Sequence, residues 1–430
     1  MNPEKYPRVL VVSHEVFSRN TSMGRTMASY FKGWDDDCLA QLYIHSEVPT
    51  SSVCRNYYKY TDVDALLSLI DRKRVGKVID TVELERTDAT DTGYLKGVYT
   101  LGSRKKPITY ILRDWMWKHS TWHSDHLMEW VKRFDPQVIF YAAGDYIFSN
   151  EIARSLSVEL DVPLVTCCMD DYYIFNKNHE SRLGRKRQED FMNSVSKLIE
   201  RSSIVFTISE LMAEAYSKLF GKECKVLHTA SSFRHTDNTE VNKSGISYLG
   251  GLGYDRNKQL VRIGRMLKEM TDGVIPDHID VYSGDSDPSL TSCLIPENGI
   301  CFHGSISSDE VSRVIENSIA VVHTESFDET DKQMVKYSVS TKIPDSLSSG
   351  TCLLAYGPRV VASIRYLESH NCAFVAESES ELKDCINSIF HNEALRNKVV
   401  ERALRVAVMN HNAEDIPVLI RNDLASLISD

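Results

Sequence analysis

Short apolar runs alternate with longer amphipathic stretches along nearly the whole 430-residue chain. This alternation constrains the fold more than any other feature. Strands are predicted at Val9–Ser13, Leu39–His45, Gln137–Tyr141, Pro163–Cys168, Ser203–Thr207 and Lys225–His228. Between them, stretches such as Arg185–Arg201 and Ser209–Phe220 repeat apolar residues every three or four positions, as one face of a helix does. Strands that alternate with helices demand a parallel sheet covered on both faces, because each crossover must return the chain to the same end. The alternation stops at Ser231–Ser244, SSFRHTDNTEVNKS, which has almost no apolar residue and reads as a linker. A second series follows, with strands at Ile246–Leu249, Ile279–Tyr282, Gly299–Phe302, Ile319–His323, Thr351–Ala355 and Ala373–Val375. Its predicted helices are Lys258–Met270, Ser308–Asn317, Pro344–Ser349 and Ser380–Phe390. The chain thus divides into a first doubly wound α/β half over 1–230, a linker over 231–244, a second half over 245–410 and a helical tail over 411–430. Residues 84–107 are polar and weakly periodic and read as an inserted loop.

Composition excludes several classes. Apolar content is 42% and charged content 26%, as in an ordinary globular protein rather than a disordered or fibrous one. The net charge of −10 argues against nucleic acid as a partner, since phosphate neutralisation needs a basic surface. No apolar run reaches the roughly 18–20 residues that span a bilayer, and no apolar leader precedes the first strand. The ten cysteines include no C-x-x-C pair, which suits reduced thiols. The expected location is cytoplasmic, with peripheral contact at the inner face of a membrane as an option.

In open α/β sheets, ligands bind beyond the carboxyl ends of the strands, so the chemistry should lie in the loops that follow them. The first such loop runs from Ser13 to Gly24, where a helix begins near Arg25. Gly24 permits close backbone approach and a helix start favours an anion, but an ordinary loop capped by Thr21 or Ser22 reads equally well. The second is Gly250-Gly251-Leu252-Gly253-Tyr254-Asp255-Arg256. It begins like G-x-G-x-x-G, but Arg256 replaces the third glycine, which disfavours a dinucleotide. A glycine turn followed by Arg256 and Lys258 suits a diphosphate, which wants backbone N–H groups and fixed cations. The alternative is solvated charge on a helix face. The third is Ser338-Val339-Ser340-Thr341-Lys342-Ile343-Pro344-Asp345-Ser346-Leu347-Ser348-Ser349-Gly350, leading into a strand. Ser340 and Thr341 are placed to cap a helix whose first turn holds Pro344 and Asp345, with Lys342 adding positive charge.

Other features weigh less. Asp170-Asp171 follows a strand and could bind acceptor hydroxyls or cap a turn, and Gly144-Asp145 is a similar case. Asp285-Ser286-Asp287 matches the D-x-D pattern of metal-dependent transferases, but the tripeptide is common in turns and the two-half organisation argues against that use. Arg104-Lys105-Lys106 precedes Ile108–Leu112 and the aromatics Trp115, Trp117 and Trp122. Basic residues beside aromatics could rest on a membrane, or the stretch could be a buried helix face. His14, His123 and His126 read as structural histidines.

The segment STKIPDSLSSGTCLLAYGP resembles the donor-binding helix and strand of GT-B glycosyltransferases of the large retaining family 4. Gly24–Tyr43 resembles the N-terminal helix and second strand of bacterial surface-polysaccharide transferases, and Gly299–Asp328 resembles the segment running from the nucleotide base to the sugar. The resemblance implies two Rossmann-like domains facing a central cleft, with the C-terminal helix packing back on the first domain. It places Gly251 and Arg256 on the diphosphate, Gly304 and Ser305 beside the base, Ser340, Thr341 and Lys342 on the phosphates and Asp345 on the ribose. Much of that family carries Glu-x7-Glu, but Tyr337 stands where the first acid would be. Glu325, Asp328 and Glu329 are candidates for its role, and Glu325 is preferred because it closely follows a strand.

The resulting expectation is transfer of a sugar from a nucleotide-diphosphate donor to a carbohydrate or lipid-linked hydroxyl. Catalytic roles fall to Glu325, Asp170 and Asp171. Donor binding falls to Gly24, Gly251, Arg256, Lys258, Gly304, Ser305, Ser340, Thr341, Lys342 and Asp345. Neither cofactor nor metal is expected, because fixed cations and a helix N-terminus can stabilise the leaving diphosphate. The family resemblance implies retention of configuration. The alternatives are a sugar-nucleotide epimerase, a phosphorylase, or a nucleotide-sugar-binding protein without activity.

Overall fold

The computed structural model describes residues 6–80, 107–174, 181–231, 233 and 243–428. The predicted basic triplet Arg104-Lys105-Lys106, most of the 84–107 insertion and most of the 231–244 linker lie outside them. The chain divides into two compact units, Met1–Leu227 with Glu414–Asp430, and His228–Ala413.

The first unit is built on eight strands: β1 Val9–Ser13, β2 Leu39–Tyr43, β3 Asn56–Lys59, β4 Lys77–Asp80, β5 Val138–Ala143, β6 Leu164–Cys168, β7 Ser202–Thr207 and β8 Lys225–Val226. Their spatial order is β4-β3-β2-β1-β5-β6-β7-β8. Every pairing is parallel except β3 with β4. The sheet interior is continuously apolar because both faces are covered. Val9, Leu10, Val11 and Val12 are all fully buried. One face packs Leu10, Val12 and Ile139 against Trp117, Trp130 and Leu156. Order reverses at β1, so the ends of β1 and β5 flank the crevice where such sheets place ligands. The helix Asp415–Ser426 belongs to this unit, tied down where Lys225 meets Asp423 at 2.6 Å and Lys32 meets Glu414 at 2.7 Å.

The second unit has six parallel strands: β9 Ile246–Leu249, β10 Ile279–Tyr282, β11 Ile300–Gly304, β12 Ala320–Thr324, β13 Cys352–Tyr356 and β14 Phe374–Ala376. Their order is β11-β10-β9-β12-β13-β14. Two cores flank the sheet. Ile246, Val281, Val322 and Leu354 pack with Leu260, Ile263 and Ile386 from two helices on one face. Val321, Leu353 and Ala355 pack with Ile343, Leu347, Ile364 and Leu367 on the other. Here the reversal falls between β9 and β12, so the loops after these strands carry the next argument.

All ten cysteines are free. Among the described residues, no helix is long and apolar enough to cross a membrane.

Candidate functional site

The turn after β9 is shaped by its own side chains. The Tyr248 hydroxyl donates to the Gly251 carbonyl at 2.5 Å, and the Leu252 N–H donates to Asp285 Oδ2 at 2.6 Å. Tyr254 and Asp255 both adopt left-handed backbone, with φ of 56° and 53°. Two consecutive non-glycine residues in that region store strain, which concentrates at functional sites. The turn delivers Arg256 as the first residue of the helix Arg256–Met270.

Arg256 reaches across to the end of β12. Its Nη2 donates to Glu325 Oε2 at 2.9 Å and its Nε to the same oxygen at 3.2 Å. Nε also lies 3.3 Å from the Thr324 carbonyl. The Glu325 side chain is 3% exposed and that of Arg256 22%. Among the described residues, the remaining guanidinium nitrogen, Nη1, has no hydrogen-bond partner. The Ser363 hydroxyl donates to Glu325 Oε1 at 3.4 Å. His323 Nε2 also stands 3.4 Å from Oε1, without hydrogen-bond alignment. Burial works to raise the Glu325 pKa, but His323 and the Arg256 charge outweigh it and hold the carboxyl below its ordinary value. Glu325 is therefore an ionised anchor for Arg256. Of the other two acids considered, Asp328 caps the helix Glu329–Val335 and Glu329 pairs with Lys332 on the surface.

Lys342 comes to the same turn: a Cβ added at Gly250 would lie 3.3 Å from Lys342 Nζ. Lys342 precedes the short helix Ile343–Ser348. The sequence placed Ser340 and Thr341 as its caps, but Lys342 itself occupies the cap position, and no side chain caps there. Ser340 Oγ instead accepts from the Lys342 N–H at 3.4 Å, and the Ser340 carbonyl accepts from Ile343 N at 3.0 Å. The helix starts one residue earlier than expected, with Pro344 in its first turn, where a missing N–H costs nothing. Asp345 Oδ1 accepts from the Ser231 hydroxyl at 2.9 Å. Lys258 points elsewhere, 65% exposed and paired with Asp255 at 2.7 Å.

Gly304 closes β11 with a φ of +75°, and no atom lies within 4 Å of where its Cβ would be. Ser305 follows, its hydroxyl 3.9 Å from a Cβ built at Gly284. Asp285 and Asp287 both serve turns. Asp285 accepts from Leu252 N, and Asp287 caps Pro288–Thr291 by accepting from Ser289 N at 2.9 Å.

In the first unit, Gly24 sits in the first turn of the helix Ser22–Tyr30. A Cβ there would lie 2.7 Å from both Ser18 Cβ and the Val16 carbonyl, so packing within its own loop requires the glycine. Asp171 is buried and its Oδ1 accepts from Tyr173 N, Ile174 N and the Tyr216 hydroxyl, at 3.0, 2.9 and 2.8 Å. It holds the turn after β6. Asp170 is half-buried beside Tyr172.

The sequence reading missed a charged cluster near the ends of β1 and β5. Arg113 bridges Asp62 Oδ1 at 2.8 Å and His14 Nε2 at 3.0 Å, with Tyr146 under its guanidinium at 4.1 Å. Burial, then the Arg113 charge, push the His14 pKa down to about 3, so its ring is neutral and accepts at Nε2. Asp114 stands 3.7 Å from Arg187 without hydrogen-bond alignment, and burial raises its pKa to about 6. Arg113 and Asp114 lie in the stretch read as a membrane-facing or buried helix face and Arg187 in a predicted amphipathic helix, and their partners come from distant segments.

No described protein family matches the sequence, and no curated protein does either. Solved structures do match. Anabaena Alr3699/HepE in complex with UDP superposes with a TM-score of 0.63 at 12% identity, over 98% of this chain and all of that one. Sucrose-phosphate synthase from Thermosynechococcus elongatus matches with a TM-score of 0.60 at 11% identity, over 98% and 100%. An α,α-trehalose 6-phosphate synthase from Burkholderia multivorans matches with a TM-score of 0.61 at 10% identity, over 98% and 97%. The chain has the GT-B fold. Within the GT-B fold, Arg256, Glu325, Gly250 and Lys342 form one cluster at the carboxyl ends of β9 and β12. Asp345 lies three residues beyond Lys342, whereas Lys258 faces solvent.

Proposed function

We propose that this chain is a glycosyltransferase that moves a sugar from a nucleotide-diphosphate donor to a carbohydrate or lipid-linked hydroxyl. The observation that carries the reading is the cationic pair Arg256 and Lys342 at the glycine turn, with Glu325 holding Arg256 in place. A leaving diphosphate gains charge as the glycosidic bond breaks. Preorganised cations stabilise that charge without reorganising, Arg256 from a largely buried position and Lys342 from an exposed one at the rim of the turn. The GT-B likeness to Anabaena Alr3699/HepE, solved both with UDP and with UDP-glucose, supports a nucleotide sugar as the ligand.

In this reading Arg256, Lys342 and the Gly250–Gly251 backbone hold the diphosphate, and Asp345 faces the ribose. Ser340 and Thr341 complete the phosphate loop, and Gly304 and Ser305 border the base. Glu325 is a positioning residue for Arg256, and Asp170 meets the acceptor hydroxyl. The diphosphate needs no metal. Retention of configuration rests on the resemblance of the Ser340–Gly350 segment to retaining enzymes, and the anomer of the product seen by NMR tests it. Ile108, Leu112 and Trp115 are 48%, 59% and 54% exposed on one face of the helix Pro107–His119, next in sequence to Arg104-Lys105-Lys106. That face suits contact with an anionic membrane carrying a lipid-linked acceptor. Trp115→Ala should then reduce sedimentation with phosphatidylglycerol vesicles, and equal sedimentation would remove this part of the reading.

The decisive experiment is a thermal-shift panel of nucleotide sugars followed by turnover of the stabilising one. Lys342→Ala and Arg256→Ala should each reduce turnover by about two to three orders of magnitude. Near-normal turnover in both would sink the donor site. Donor consumption that needs no acceptor would favour an epimerase.

A further inference from the structure

The edge of the second sheet carries a set of side chains that the transfer reaction does not use. Strands β10 and β11 pair in parallel with Asp280 opposite Cys301. Side chains alternate faces along a strand, so Asp280 shares a face with Cys301 and with His303 two residues on. The opposite face is the apolar one, where Ile279, Val281 and Ile300 enter the core. One polar face thus holds a carboxylate, a thiol and an imidazole, and their ligand atoms all lie within 4.8 Å of one another. His303 Nε2 is 2.7 Å from Asp280 Oδ1, and its ring stacks on Tyr282 with centroids 4.5 Å apart and planes 11° from parallel.

A second observation points the same way. His278, two residues before Asp280, has its Nδ1 2.7 Å from Asp277 Oδ1 and its Nε2 3.9 Å from Asp280 Oδ1. A carboxylate on Nδ1 fixes the tautomer that leaves Nε2 with its lone pair toward the cluster. Metal-binding histidines are oriented in this way.

We propose that His278, Asp280, Cys301 and His303 form a binding site for a divalent transition metal of the zinc type. Sulfur, two imidazole nitrogens and one carboxylate oxygen match the preference of Zn²⁺ for four mixed N, S and O ligands. In a tetrahedral site, ligand distances of about 2.0–2.3 Å put any two ligand atoms about 3.3–3.8 Å apart. Side-chain rotations must therefore part His303 from Asp280 slightly and draw the Cys301 thiol and His278 Nε2 inward. On binding, the ion displaces the proton between His303 Nε2 and Asp280, which passes through solvent to His303 Nδ1, and the Cys301 thiol gives up its proton to solvent. The ion would staple the edge strand β11 to β10. The competing account is an edge strand that carries polar groups only to discourage pairing with other chains.

The test uses the full-length chain, stripped with chelator and kept reduced, titrated with Co²⁺ and then Zn²⁺. The expected result is one Co²⁺ per chain, with ligand-field bands of a tetrahedral site and a thiolate-to-cobalt charge-transfer band, all displaced by Zn²⁺. Cys301→Ser should abolish the charge-transfer band, and His303→Ala should weaken Zn²⁺ binding at least tenfold. Cys293→Ser, at another partly exposed cysteine of this unit, should change neither. Circular dichroism checks that each variant is folded. A charge-transfer band that survives Cys301→Ser, or no saturable Co²⁺ binding by the wild-type chain, overturns the site. Neither readout depends on nucleotide binding or turnover, so the site stands or falls apart from the transferase reading.

Discussion

Arg256 stands where a dinucleotide-binding turn has its third glycine, and the change alters what the turn can hold. Glycine there lets helix and strand pack closely. An arginine must send its side chain somewhere, and here it goes to the end of β12, where Glu325 receives it. The pair is largely buried, so removing one partner strands the other's charge. Glu325→Gln should therefore lower stability by about 1–3 kcal/mol, less than the full cost of stranding a buried charge because Arg256 keeps some contact with water and glutamine still accepts a hydrogen bond. It should also lower turnover, because Arg256 is no longer held. If the acid acts through Arg256, the losses in Glu325→Gln and Arg256→Ala should fail to add in the double variant. Full additivity in kcat/KM would show that Glu325 acts independently. Arg256 and Glu325 were legible as candidates because each closely follows a strand, and Lys342 because it opens a helix that leads into one. The ion pair between Arg256 and Glu325 was not legible, since 69 residues separate them and only the folded sheet brings them together. The Arg113, Asp114 and Arg187 cluster was hidden for the same reason.

Among the elements, twelve strands were readable because a strand buried on both faces is a short apolar run bounded by polar turns. Strands β3 and β4 were missed. Their sequences, NYYK and KVID, are short and carry terminal charge. Among the described residues, their pairing is also the one antiparallel contact in the sheet, at its edge. The helix Arg256–Met270 shows a packing device that no periodicity reveals. A Cβ on Gly264 would lie 2.4 Å from the Asn298 carbonyl and 2.6 Å from that of Gly299. Gly299 has a φ of +70°, and its own Cβ would lie 2.1 Å from the Gly264 carbonyl. Backbone meets backbone, and no rotamer change can relieve a clash there. Gly264→Ala should destabilise by about 1–3 kcal/mol, in the range for overpacking a close contact. The denaturant midpoint measures it. A midpoint equal to that of the wild-type chain would mean that the helix can shift outward at no cost.

At the scale of the whole chain, the two halves are joined where Leu227 passes to His228 and where Ala413 passes to Glu414. Within the second unit these two segments are bonded together. The Ser231 N–H donates to the His411 carbonyl at 2.8 Å, and His411 Nδ1 is 2.8 Å from the Thr229 carbonyl, to which it must donate. That fixes the tautomer. Nε2 then accepts from the Tyr366 hydroxyl at 2.9 Å, and that hydroxyl in turn accepts from Asn410 Nδ2 at 2.9 Å. A proton on Nε2 would reverse the Tyr366 bond and bring a charge into a buried site. Burial, and after it the His228 charge, accordingly lower the His411 pKa to about 4. His228 is also lowered to about 4, by burial and then by His370. The sign follows from linkage. Between about pH 6.5, where the unfolded histidine titrates, and about pH 4, the unfolded chain binds a proton that the folded chain does not. Stability therefore falls as the pH drops through that window, by up to about 1.4 kcal/mol per pH unit for His411. His411→Gln should be less stable at pH 7, because it loses part of the bonded chain. It should lose about 2 kcal/mol less than the wild-type chain between pH 7 and pH 5, because the contribution of the His411 ring is gone. Denaturant unfolding of both proteins at the two pH values makes the comparison. Parallel losses would mean that His411 takes up its proton in the folded state, and that the bond from Tyr366 does not hold it neutral.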